Sequence, residues 1–399
     1  MDLSRLDWRW IMTIATGAML IQQAFSYVCQ IAMPILADRI AEEFGISRGW
    51  LGFYLALQSV MSIVAAIGCG GFILRFGAVR MSQVALMLMA GSLTVIASGV
   101  LWIYPLGAAL MGAGSVSTPA SSHILARVCP PQLAPLVFSI KQTGVPVGSL
   151  IGGLLLPFLL GVVLYSDILG QPIRLGHFGS AFVLALIVLS VAAALQPIRA
   201  HFDADRRPAT PIGFGDIRLT IRTVLGNPPL RDIAFAAFAF GGLQSIFAGF
   251  FLLFLIDDLG YSEVEAGGAF ALSSFTAIWA RIFWGWLAGG RASPRYLLAA
   301  IGLIGGLSAI AVASFERGWG LFEITAVAIA YNVSAISWHG LLLAETARLA
   351  PKENVGGVTG GVLAFTSMAM MSYPAVYGAI LGVTGSYSFG FLLAAAPAF

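Results

Sequence analysis

Two cations stand inside stretches that are otherwise apolar. Lys141 lies six residues beyond Pro135, about 9 Å along a helix, and Arg281 lies eight residues before Gly289, about 12 Å from the same face, so their depths match. An ionisable group inside a bilayer costs several kcal/mol unless it meets a partner or a cavity, which makes each a functional candidate. No Asp or Glu falls well inside the same stretches, with Glu345 near the end of one the exception. A guanidinium grips a carboxylate through two parallel hydrogen bonds and an ammonium adds a mobile point charge, so the pair predicts an anionic substrate. The structural alternatives are that Lys141 snorkels to the surface and that Arg281 caps loop carbonyls or pairs with Glu345.

His123 and His339 also fall within apolar stretches, and His is the side chain that changes charge near neutral pH. Importing a monoanion against an inside-negative potential costs about 2.3 kcal/mol per 100 mV, so uptake needs a coupled cation or an exchanged anion. Both histidines are therefore candidates for proton coupling, with interhelical packing as the alternative. Gln22, Tyr27, Gln244 and Asn332 are candidate hydrogen-bond partners for a substrate, and Trp338, His339 and Trp279 could wall a planar one by stacking. For most such residues interhelical packing explains the sequence equally well. No H-E-x-x-H, nucleotide-binding loop or G-x-S-x-G is present, so no catalytic residue, metal site or cofactor is expected, and an enzyme is disfavoured. Cys29, Cys69 and Cys129 form no C-x-x-C pair and indicate no disulfide framework.

The elements that position these residues follow from composition. Of 399 residues 59% are apolar and 10% charged, with a mean hydropathy of +0.91, which excludes a water-soluble globular domain. Uninterrupted apolar runs such as residues 181–195 exclude an alternating β-barrel. Runs bounded by charges, Gly and Pro place spans at about 10–33, 50–74, 79–100, 102–127, 135–164, 177–197, 231–256, 265–288, 295–314, 319–347, 355–382 and 385–399, twelve in all. The last is short, which fits either a truncated end or a tightly cut natural terminus. The first follows an N-terminus without a cleavage pattern and is read as retained.

Lys and Arg decide orientation. With the N-terminus inside, fifteen basic residues, including Arg5, Arg75, Arg80, Arg127, Arg295 and Arg348, fall on the inner side, against four, Arg39, Arg48, Arg174 and Arg317, outside. Both termini are therefore expected in the cytoplasm. The longest polar segment, from about Arg199 to Arg231, divides the spans six and six. The predicted organisation is a bundle over 1–198, a cytoplasmic linker over 199–230 and a second bundle over 231–399.

The halves repeat. At an offset of 222, Arg9, Gln22 and Phe25 meet Arg231, Gln244 and Phe247; at 215, Gly52, Gly70 and Arg80 meet Gly267, Gly285 and Arg295; at 221, Arg127 and Pro130 meet Arg348 and Pro351. Two six-helix halves in parallel repeat are an architecture in which substrate binds near the midplane and access alternates by rocking.

The stretch Gly70-Gly-Phe-Ile-Leu-Arg75-Phe-Gly77-Ala-Val-Arg80, with its partner Gly285-Trp-Leu-Ala-Gly-Gly-Arg-Ala-Ser-Pro-Arg295, resembles the G-x-x-x-D-R-x-G-R-R loop of the major facilitator superfamily. Leu74 and Gly289 stand where that family usually has Asp. The stretch Lys141-Gln-Thr-Gly-Val-Pro-Val-Gly148 is similar to bacterial cyanate and nitroimidazole permease-like members, and an Arg on helix eight is a feature shared with oxalate and monocarboxylate carriers. The resemblance covers nearly the whole chain. It implies an all-α membrane protein of twelve transmembrane helices in two pseudo-symmetric six-helix bundles, with Lys141 and Arg281 flanking one cavity and Arg75, Arg80 and Arg295 gating. The function it implies is secondary active transport of a small organic anion, a carboxylate, by alternating access. Protons or a counter-anion would be the coupled species, and the chain would be a monomer in a bacterial inner membrane without nucleic-acid partners. The rival is an exporter or a carrier of neutral solutes or drugs.

Overall fold

The computed structural model describes residues 7–47, 49–165 and 172–399; Arg5 and Arg48, two residues of the orientation count, lie outside them. Its helices are α1 (Trp8–Phe44), α2 (Trp50–Phe76), α3 (Ala78–Ala97), α4 (Tyr104–Ala113), α5 (Ser117–Val128), α6 (Ala134–Gln142), α7 (Gly144–Gly161), α8 (Gly176–Ala194), α9 (Arg199–Phe202) and α10 (Phe214–Gly226). The second half continues with α11 (Pro228–Leu253), α12 (Glu263–Ala288), α13 (Pro294–Ala313), α14 (Leu321–Ala335), α15 (His339–Leu349), α16 (Val355–Thr384) and α17 (Tyr387–Ala395). A two-stranded antiparallel ribbon, β1 (Val163–Tyr165) with β2 (Pro172–Arg174), precedes α8.

Among the described residues ten helical segments are long and apolar enough to cross a membrane. The other two expected spans are the interrupted run α4–α5 and the short Tyr387–Ala398. Many large apolar side chains face outward, including Phe53, Leu150, Leu154, Phe158 and Val264. In water such a surface would aggregate; in hydrocarbon it is the expected exterior. The chain is a multi-pass membrane protein.

Two expected spans are broken for a stated reason. Proline has no N–H and its ring crowds the carbonyl four residues earlier. Pro119 acts so on Ser115, and the backbone tightens into a 3-10 turn over Gly114–Val116 between α4 and α5. Pro146 acts so on Gln142, and α6 ends there, with Thr143 between it and α7.

The contacts divide the chain into two compact units. One comprises residues 1–128, 143–220 and 354–360; the other comprises 129–142, 221–353 and 361–399. Thus α6 groups with the second unit and α7 with the first. In the first unit α1 packs on α7, α3 on α8 and α2 on α4. In the second, α12 packs on α14, α13 on α14 and α17, and α6 on both α12 and α15. An aromatic core fills the second unit, where Phe247 stacks on Phe251 at 4.3 Å and Tyr377 on Phe250 at 3.9 Å.

The first part of the polar segment is folded onto the first unit. Asp203 caps α3: its carboxylate accepts the Val79 N–H at 2.7 Å and the Arg80 N–H at 3.1 Å, and Arg199 approaches at 3.4 Å. Gly77, at φ +97°, leaves the space that Asp203 fills. The loop lacking an acid at Leu74 therefore receives one from further along the chain. Burial raises the Asp203 carboxyl above its ordinary value, partly offset by the Val79 and Arg80 amides and by Arg199.

Asp205 bonds His123 Nε2 at 2.9 Å and pairs with Arg127. Burial pushes its carboxyl up, but the His123 bond and the Arg127 charge outweigh that and leave it below the usual carboxylate range. A carboxyl lowered by folding contributes stability that is complete above its unfolded value, about 3.9 for Asp, and that is lost as pH falls through the lowered folded value. Asp205→Asn is therefore expected to melt below wild type at neutral pH, with the gap closing only below about pH 4. A constant gap across an acid titration of melting temperature would show that the carboxylate charge contributes nothing.

Candidate functional site

The residues with the strongest chemistry meet in the second unit, where two helix breaks face one guanidinium. A helical carbonyl at position i takes the amide of i+4. For Gln142 that position is Pro146, which has no N–H, and Arg281 Nη1 donates to the Gln142 carbonyl instead, at 2.8 Å. Arg281 Nη2 donates to the Ile336 carbonyl at 2.9 Å, where the chain leaves α14 and passes through Ser337 and Trp338 before α15. One buried arginine thus binds the carbonyl ends of two interrupted spans, α6 and α14. These ends carry partial negative charge, so a cation there is electrostatically favoured.

Lys141, 1% exposed, is adjacent in sequence to the first of those carbonyls, and Arg281 is 3% exposed. Both cations act electrostatically on the imidazole of His339, the first residue of α15. Trp338 is fully buried and stacks on His339 at 3.7 Å and on Phe240 at 5.3 Å. Asn332, also fully buried, donates from Nδ2 to Ser273 Oγ at 2.7 Å. Around this region Ser139 Oγ, Asn332 Oδ1, Trp338 Nε1 and His339 Nδ1 are buried polar atoms without a hydrogen bond among the described residues. Buried polar atoms are satisfied in nearly all native structures, so these four are open to a further polar partner.

Of the two alternatives for Arg281, carbonyl capping is present in the structure. The Glu345 carboxylate is bonded by Arg295 Nε at 3.0 Å and by Arg348 Nε at 2.7 Å. The remaining expected residues are placed as follows. Trp279 is 63% exposed beside Phe275, on the outer surface rather than in this cluster. Gln244 is half-buried on α11, with Oε1 carrying no hydrogen bond among the described residues. Gln22 is buried in the first unit and donates to Ser26 Oγ at 3.1 Å, while Tyr27 lies against Gly148 there. His123 is held by Asp205 in the polar segment. Arg75 is exposed and donates to the Thr210 carbonyl at 3.4 Å, Arg80 reaches Gln83 at 3.3 Å, and Arg295 reaches Glu345. Among the described residues no cluster of three or more His, Cys, Asp or Glu is placed to hold a metal ion.

The sequence reading missed the Gln142 and Ile336 carbonyls, Ser139, Ser273, and Asp203 with Asp205. Only the first had a readable signal, the Gln142-to-Pro146 spacing of four.

A family model described as Major Facilitator Superfamily matches residues 18–371. The probable nitrate/nitrite transporter NarK2 of Mycobacterium tuberculosis is 28% identical over 225 residues, covering 55% of this chain and 51% of that protein. The chain thus matches about half the length of this relative. Monocarboxylate transporter 11 of Mus musculus is 26% identical over 412 residues, covering 97% of this chain and 84% of that protein. Among solved structures, the Escherichia coli fucose:proton symporter FucP matches with a TM-score of 0.71 at 14% identity, covering 97% of this chain and 96% of its own. That likeness speaks for the fold.

Proposed function

The chain belongs to the Major Facilitator Superfamily, and from that premise, which makes it a transporter rather than an enzyme, we propose that it carries a small organic anion, a carboxylate, by alternating access. The observation that carries the reading is the burial of Lys141 and Arg281 at the breaks of one unit, with buried polar atoms in the same unit that have no hydrogen bond among the described residues. The unit's buried carboxylate, Glu345, is held by Arg295 and Arg348. Trp338 Nε1 supplies a neutral donor next to His339, and its stacked ring limits the occupant to something small or flat. Two relatives, a probable nitrate/nitrite transporter and a monocarboxylate transporter, are named as anion carriers and support this class. His339, within electrostatic reach of both cations, and His123 are the groups through which protons would couple. The inner-side excess of Lys and Arg supports a bacterial inner membrane with both termini in the cytoplasm.

The test is thermal stability of the purified protein against small carboxylates, nitrate, amino acids, sugars and cationic drugs, with Lys141→Gln in parallel. A ligand that binds only the folded state stabilises it by about 2.7 kcal/mol at a hundredfold excess over Kd. Carboxylates are expected to raise the wild-type melting temperature, and Lys141→Gln to need at least about tenfold more ligand, as loss of one charge-assisted bond implies. Nitrate alone raising it would reassign the substrate to inorganic oxyanions. Sugars or drugs shifting both proteins equally would transfer the function to the neutral-solute or exporter class.

A further inference from the structure

Helix α10 is amphipathic in a way that the rest of the protein does not use. At 100° per residue its side chains fall in successive i, i+4 pairs around the axis. Thr220 and Val224 are buried against the protein, next come Ile221 and Leu225 at 42% and 39% exposure, and then Arg218 and Arg222, both exposed. Ile217, on the protein side, lies over Gly68 of α2. An apolar strip with the protein along one edge and arginines along the other is thus left outward. Leu219, on the far side, is a single surface leucine and needs no partner.

The place of α10 in the chain says what covers the strip. It lies between the end of one segment long and apolar enough to cross a membrane, at Phe202, and the start of the next, at Pro228; two successive crossings are necessarily joined on one side of the bilayer. The charges beside the strip are basic: Arg218 and Arg222 are exposed, while Asp203 and Asp205 are engaged within the first unit. An apolar strip bordered by arginines beside a membrane is the pattern of a helix lying in the interface, its apolar side chains among the acyl chains and its guanidinium groups on lipid phosphates. We propose that α10 is an in-plane membrane helix that binds the anionic phospholipid surface of the leaflet on its own side.

The test places a nitroxide at Ile221→Cys or Leu225→Cys, with Ala209→Cys, an exposed position outside the helix, as reference. The native cysteines are all buried, which makes labelling selective. In vesicles of phosphatidylcholine with about a quarter phosphatidylglycerol, the ratio of oxygen to water-soluble nickel accessibility is expected to be at least roughly threefold higher at 221 and 225 than at 209. In pure phosphatidylcholine, in about 0.5 M salt, or with Arg218→Gln/Arg222→Gln, that excess should fall by half or more. Equal ratios at the three positions, or an excess indifferent to lipid charge and to the arginines, would overturn the proposal. Protection of 221 and 225 from both reagents would assign the strip to a protein contact and overturn it equally.

Discussion

Arg281→Gln is expected to remove carboxylate-dependent stabilisation altogether, an affinity loss of at least about a hundredfold, and to lower the stability of the empty protein by about 3 kcal/mol. The two effects have separate causes. Stability falls because the Gln142 and Ile336 carbonyls lose their charged donor. Gln142 cannot recover a helical bond, because the amide that would supply it belongs to Pro146. Binding is expected to fall because, in the proposed function, a bidentate cation is gone from a site whose other cation, Lys141, is a single point charge. Arg281→Lys separates them: the charge stays, the fork is lost, and about a tenfold weakening is expected with most of the stability retained. Melting curves with and without ligand decide the matter. An Arg281→Gln protein that folds and binds carboxylates with wild-type affinity would reduce Arg281 to a helix cap.

Gly340→Leu should prevent the second unit from closing on α6. Gly340 sits in the first turn of α15 against the Ser139 backbone, and any Cβ there would overlap the Ser139 Cα and lie 2.7 Å from its nitrogen. A Cβ on Gly285 would meet the same Ser139 side chain and fall 2.8 Å from the Pro135 carbonyl. Helix α6 packs against two glycines at Ser139, and the obstructing atoms include backbone, which cannot rotate away. Overpacking a core costs about 1–3 kcal/mol when side chains can yield. Here Gly340→Ala is expected at the top of that range, and Gly340→Leu beyond it, with loss of folded yield. Gly153→Leu is the control, since nothing lies within 4 Å of a Cβ at Gly153. Similar melting temperatures for Gly340→Leu and Gly153→Leu would refute the clamp.

Much of this was readable from the chain alone. Hydropathy located the spans because a bilayer demands some twenty apolar residues at each crossing, a local property that any window reveals. The offsets relating Arg9 to Arg231 and Gly70 to Gly285 exposed the duplication, and the glycine-rich loop with its arginines carried the family. Lys141 and Arg281 stood out because charge in apolar sequence is costly wherever the chain later goes.

What local sequence could not decide was who satisfies whom. Leu74 in place of an Asp suggested a missing acid, yet Asp203 reaches the start of α3 from more than a hundred residues away. His123 read as a residue within a span, but Asp205 holds it. Trp279 and Trp338 looked equivalent; one is on the surface and the other is sealed between Phe240 and His339. The sequence by itself determined the class of the protein, its crossings, its internal repeat and the two cations within its spans, because each depends on residue type and spacing along the chain. Only the tertiary structure decided that Arg281 joins the carbonyl ends of α6 and α14, because a hydrogen bond is a matter of ångströms between atoms that folding, not sequence proximity, brings together.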